Sequence, residues 1–117
     1  MANRVAIVGV GQTDHSGSRW DVTGVELIHE AVARALDSAE LKREDIDGVV
    51  IGNMDHFEGI NGVELWSIEG SGGLGKPVIK LTTGGTTGST LAIGGYHMVA
   101  SGLFKKLLVI GWEKNSE

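Results

Sequence analysis

The segment Leu81-Thr-Thr-Gly-Gly-Thr-Thr-Gly-Ser-Thr90 sets two adjacent glycines between an apolar, strand-like run and a glycine-bearing helical run that ends at Gly102. Gly84 and Gly85 admit backbone angles closed to other residues and let a ligand approach the main chain closely. Thr86 or Thr87 is placed to cap the helix that follows. The free N–H groups and positive dipole end at that helix start favour a phosphate, a carboxylate or a developing oxyanion above the turn. Gly84, Gly85 and Thr86 are therefore candidate substrate-binding residues. The same pattern also serves strand-to-helix packing alone, with no ligand.

The remaining chemistry-bearing residues point elsewhere less clearly. His15, His29, His56 and His97 show no paired ligand spacing, so no metal site is expected. His56 follows Asp55 in a loop and is the one histidine placed for a substrate site, although a solvated loop histidine is the plainer reading. His29 falls on the polar border of a helix. Gly9-Val-Gly11 invites a dinucleotide-binding reading, but the third fingerprint position is Asp14, whose charge repels a pyrophosphate. Gly70-Ser-Gly-Gly-Leu-Gly-Lys76 matches a phosphate loop up to its lysine. It continues into Pro77 and a strand instead of a helix, so it reads as a turn with Lys76 a solvated charge. Trp66 and Trp112 read as core or interface anchors, since no basic groove accompanies them.

The elements that must position these residues follow from apolar periodicity. Val5–Val10 is a nearly continuous apolar run ending in glycines, as in a buried parallel strand. Val25, Leu27, Ile28, Ala31, Val32, Ala35 and Leu36 recur at helical spacing between Thr23 and Ala39. Val49-Val-Ile51 is a second strand, which with the first strand and the intervening helix makes a β-α-β unit. A long loop with one short helix, near Val63 to Ile68, leads to a third strand at Pro77–Leu81. The proline at its first residue suits a sheet edge. The helix from Thr87 to Ser101 carries almost no charge and is expected to be buried all round. Gly94-Gly95 in its middle cost about 1 kcal/mol each relative to alanine, which a close helix–helix or helix–sheet contact would explain. Leu107–Gly111 is a fourth strand.

At 117 residues the chain forms one layered domain. Ten Lys and Arg against 15 Asp and Glu give a net charge of -5, and no basic run occurs, so neither nucleic acid nor an anionic membrane is an expected partner. The absence of cysteine excludes disulfides, thiolate metal sites and a cysteine nucleophile within these residues. No secretory signal or bilayer-spanning segment is read, and cytoplasmic residence is the expectation. The 19 glycines cluster at the ends of apolar runs and mark ordered turns.

Taken together, Val5-Ala-Ile-Val-Gly-Val-Gly-Gln-Thr13, Ala35-Leu-Asp-Ser-Ala39, Ile46-Asp-Gly-Val49 and Val99-Ala-Ser-Gly102 followed by Leu108-Val-Ile-Gly-Trp-Glu-Lys114 resemble the start of a thiolase, nearest the sterol-carrier-protein-type thiolases and the archaeal and bacterial thiolase-like acyl-CoA proteins. The resemblance implies an α/β layered fold, here the first half only (βαβαβαβ), with a mostly parallel sheet and helices on both faces. Residues 1–117 would then be an incomplete N-terminal domain that lacks the expected fifth strand and the whole C-terminal half. It implies coenzyme A thioesters as substrates and no covalently bound cofactor. Thiolases carry their nucleophilic cysteine at the N-terminus of the third helix, where the dipole favours its thiolate. Matching Thr86-Thr-Gly88 to the family's Ala-Ser-Gly puts Gly85 at that position. Glycine cannot be acylated, and Thr86 and Thr87 are weak substitutes because the segment supplies no adjacent base.

The family's acid/base histidine and second cysteine belong to the C-terminal half. The resemblance thus implies part of a thiolase-like protein of acyl-CoA and lipid metabolism that makes or breaks carbon–carbon bonds, of acyltransferase or retro-aldolase type. The alternative is a non-catalytic accessory subunit that pairs with an active partner. A homodimer or hetero-oligomer is expected, with an OB-fold subunit among the partners the resemblance allows and the strand near Pro77–Leu81 as the pairing edge.

Overall fold

The computed structural model describes residues 3–114, and its sheet has three strands. In chain order these residues form α1 (Gly24–Ala39), a 3-10 turn at Arg43–Asp45, β1 (Gly48–Gly52), α2 (Val63–Trp66), α3 (Ile68–Ser71), β2 (Val78–Lys80), α4 (Thr87–Ala100) and β3 (Leu107–Gly111). The strand order is β2-β1-β3, and both pairings are parallel. Among the described residues no helix is long and apolar enough to cross a membrane.

Helix α1 starts where a reciprocal cap starts it. The Thr23 hydroxyl accepts from the Glu26 N–H at 3.2 Å, while the Thr23 N–H donates to the Glu26 carboxylate at 2.7 Å. It ends at Glu40 in the left-handed region, φ 55°, whose N–H turns back to the Asp37 carbonyl. Ile28, Val32 and Leu36, one turn apart, are its buried stripe.

The alternation of β1 and β3 sends residues to two different helical covers. Val49 and Ile51 pair in register with Leu108 and Ile110, and these pack with α1 and Trp112 in one core. Gly48, Val50 and Gly52 pair with Leu107, Val109 and Gly111 on the other face, under α4 and Phe104. A parallel sheet with helices on both faces is therefore present. The mid-helix glycines have the expected cause: a Cβ at Gly95 would lie 2.7 Å from Val109 Cγ2, and one at Gly94 would lie 2.4 Å from Leu81 Cδ1. The helix sits against the sheet closely enough that only glycine fits without displacement.

Three expectations need correction. Val5–Val10 is not a strand of the sheet, so the first βαβ unit does not form. Both edges of β1 are taken by β2 and β3, and the run lies along α1 instead. There a Cβ at Gly9 would meet the Ala35 carbonyl at 2.6 Å, and one at Gly11 would meet the Ala35 nitrogen at 2.3 Å. Glycine lets main chain touch helix backbone, and Ile7, Val8 and Val10 are left 87%, 66% and 70% exposed. Helix α4 is covered on its sheet side only, since Ile93 and Tyr96 are 60% and 50% exposed. The loop before β2 holds two short helices, α2 and α3, in place of one. Strand β2 does lie at a sheet edge, and Pro77 immediately precedes it.

Candidate functional site

Because all three strands run parallel, their carboxyl ends meet along one side of the sheet, where open α/β folds bind ligands. Asn53 to Glu58 follow β1, Lys80 to Thr87 join β2 to α4, and Trp112 to Lys114 follow β3.

The glycine turn is set by Gly84, at φ 64°, a conformation that a side chain strains. Its carbonyl accepts from the Thr87 N–H at 3.1 Å and from the Thr87 hydroxyl at 2.7 Å. The Thr87 hydroxyl also accepts from the Thr83 N–H at 2.9 Å. The Thr86 hydroxyl lies 2.9 Å from both the carbonyl and the hydroxyl of Thr83, and the Thr83 hydroxyl is 2.7 Å from that of Thr90. These threonines staple the turn to itself.

Thr86 occupies the N-cap position, but its side chain does not cap. Its hydroxyl is drawn back to Thr83, away from the helix. The amides of Gly88 and Ser89, which have no intrahelical acceptor, are left at the open start of a 14-residue helix. Gly85 and Gly88 are exposed, and a Cβ at either would meet nothing within 4 Å. Gly84, Gly85 and Thr86 thus sit together around uncapped N–H donors with space above position 85.

His56 lies elsewhere on this side of the sheet, exposed and edge-on to Phe57 with ring centroids 5.1 Å apart. His29 is exposed on α1, its Nδ1 2.6 Å from Arg43 Nη2. Lys76 is not a free surface charge, for its ammonium donates to the Arg43 carbonyl. Trp112 packs against the core and against Gly24, whereas Trp66 is 69% exposed.

A group of charged residues that the sequence did not reveal lies at the same strand ends. The Lys80 ammonium bonds Asp55 and stands 3.3 Å from Glu64 Oε2. Burial works to lower its pKa, but the bonds to Asp55 and Glu64 outweigh that and raise it. Glu113 accepts from the Met54 N–H at 2.7 Å, and Glu58 accepts from the Lys114 N–H at 2.9 Å. Burial holds the Glu113 pKa above the ordinary carboxylate value; the Met54 N–H opposes this, and the negative charges of Glu58 and Asp55 add to it. Asn53, buried, donates to the Trp112 carbonyl at 2.9 Å and so ties the two strand ends together. An open recess of about 300 Å³ lies beside Glu113 and Lys114, walled by Leu27 and the 12–19 segment. Among the described residues no three His, Cys, Asp or Glu side chains gather as a metal site would require.

No protein-family model matches the sequence. The acetyl-CoA acetyltransferase of Methanocaldococcus jannaschii is 32% identical over 115 residues, which are 97% of this chain and 29% of that protein. The acetyl-CoA acetyltransferase of Methanothermobacter thermautotrophicus is 29% identical over 115 residues, 97% of this chain and 30% of that protein. The chain therefore spans less than a third of the length of these relatives. In three dimensions it is similar to 3-oxoacyl-[acyl-carrier-protein] synthase III from Aquifex aeolicus VF5, with a TM-score of 0.72 at 19% identity. That match covers 85% of this chain and 32% of that one.

Proposed function

We propose that the chain belongs to the thiolase superfamily and is the N-terminal part of a thiolase-like protein that handles acyl-CoA thioesters at carbon–carbon bonds without a cysteine nucleophile. The observation that carries this reading is the start of α4. Gly85, at the position the resemblance assigns to the nucleophile, has open space above it and uncapped helix amides beside it. A thioester oxygen lying there is polarised by the N–H groups of the turn and the first helical turn. Nothing at position 85 can form an acyl-enzyme. The Thr86 and Thr87 hydroxyls shape the turn and position those donors. Bond cleavage or formation then follows a retro-aldolase or acyltransferase course, with the acid and base supplied from outside these residues.

Two acetyl-CoA acetyltransferases among its relatives support the thioester chemistry. In the proposed assembly the chain works as a homodimer or with an unlike subunit such as an OB-fold protein, and β2 supplies the pairing edge. The exposed apolar side of α4 favours a second reading, an accessory subunit that lends fold and interface to an active partner.

The intact mass of the protein isolated from its source, with whatever copurifies, separates the two. The first reading expects a chain about three times as long, in proportion to the relatives of which this one spans 29–30%. Binding of an acyl-CoA thioester without covalent attachment completes that expectation. A short chain held in a stable complex whose thioester site lies wholly on the partner overturns it in favour of the accessory subunit.

A further inference from the structure

The turn after β1 and the end of β3 are held together by a crossed pair of carboxylates. Glu113, after β3, takes the Met54 N–H with Oε1, and Glu58, in the turn, takes the Lys114 N–H with Oε1. The crossing sets the two carboxyl groups within hydrogen-bonding reach of one another. Their remaining oxygens, Oε2 of each, are buried and have no donor. Two dry acceptors on neighbouring carboxyl groups are unfavourable as a pair of anions, and one proton shared between the groups relieves both.

We propose that Glu58 and Glu113 share a single proton, which closes the 53–58 turn onto the end of β3, and that loss of this proton to solvent as pH rises loosens the turn. The surroundings favour the protonated pair. From the turn itself, Asp55 presents a buried Oδ1 without a donor. From α2 comes Glu64, and from β2 comes Lys80, whose ammonium is engaged by Asp55 and Glu64. Lys114 directs its ammonium to the carbonyls of Arg19 and Val22 at 2.8 and 2.7 Å. Across the recess from Glu113 stand Asp14, His15 and Arg19, the last paired with Asp21 and Glu30. Burial and neighbouring negative charge both raise the Glu113 pKa above the ordinary carboxylate value. The sign follows: a carboxyl raised in the folded state stabilises fully below its unfolded value of about 4.3 and loses that contribution as pH climbs through the folded value. The turn held by this clasp carries Asn53 and His56 at the carboxyl side of the sheet. The clasp stands on these contacts alone and does not depend on the acyl-thioester reading.

The test is a carbon-13 NMR titration of the Glu58 and Glu113 carboxyl carbons, with amide exchange at Met54 and Lys114 followed over the same pH range. The pair is expected to titrate in two coupled steps, the upper one above the ordinary glutamate value, with protection at both amides, taken relative to the intrinsic exchange rate at each pH, falling beyond it. In Glu58→Gln the amide group replaces the shared proton, so the Glu113 midpoint falls and the protection of the Met54 amide, taken relative to the intrinsic exchange rate at each pH, no longer changes with pH. Two independent midpoints in the ordinary range in the unsubstituted protein overturn the proposal. So does an unchanged Glu113 midpoint in Glu58→Gln, which assigns the shift to burial alone. The unsubstituted titration decides the matter if the variant does not fold.

Discussion

Replacing Gly85 with cysteine puts the thiol of a conventional thiolase where this chain has none, and the geometry says how that thiol behaves. A Cβ at position 85 meets nothing within 4 Å, and the backbone there lies outside the left-handed region, so Gly85→Cys is expected to change stability by less than about 0.5 kcal/mol. The thiolate lies beside the uncapped start of α4, where an anion gains about 0.3–1 kcal/mol from the helix dipole. At about 1.4 kcal/mol per pKa unit this lowers the thiol by about 0.2–0.7 units from its free value near 8.5. These 117 residues contain no other cysteine, so in a chain of this length the pH dependence of iodoacetamide alkylation, read by mass, reports this one thiol. The same variant unfolded in urea is the reference. A thiol that titrates at or above its unfolded value refutes the argument that the turn presents an anion-favouring helix start.

Gly84→Ala is expected to cost about 1–2 kcal/mol in urea unfolding because of the 64° φ, whereas Gly85→Ala is expected to be near neutral. Equal effects would contradict the turn geometry. Thr23→Ala removes one arm of the α1 cap and is expected to cost about 1 kcal/mol. Lys80→Met leaves Asp55 and Glu64 without their cation and is expected to lose about 1.5–3 kcal/mol at neutral pH. A lysine raised in the folded state contributes fully below its ordinary value and loses that contribution as pH climbs through the folded one. The unsubstituted protein should therefore lose more Tm at strongly alkaline pH than Lys80→Met does.

Periodicity sufficed for α1 and for the strands at positions 49–51 and 107–111, because their apolar spacing matches the faces they bury. The Gly94-Gly95 pair was legible too, since a glycine pair inside a helix needs a close neighbour, and Val109 and Leu81 are that neighbour. Val5–Val10 misled for a physical reason. A continuous apolar run specifies extended chain, but not which edge it pairs with, and the glycines at 9 and 11 fit backbone against α1 equally well. Helix α4 misled similarly, because an apolar surface does not say what covers it. The glycine turn was legible from residue type, but the diversion of the Thr86 hydroxyl to Thr83 was not, since a threonine at that spacing caps or staples equally well. The Asp55, Glu58, Glu64, Lys80 and Glu113 group was illegible because parallel pairing assembles it from separate segments with no shared spacing.

The central claim, that the start of α4 holds a thioester without bonding to it, is tested most directly by hydrogen–deuterium exchange on the peptide spanning residues 82–90. The protein is taken at its natural length from its source, with and without an acyl-CoA thioester. Slower exchange at Gly85, Thr86, Gly88 and Ser89 and an unchanged peptide mass are expected. Unaltered exchange with thioester bound elsewhere, or an acyl group added to Thr86 or Thr87, would contradict it.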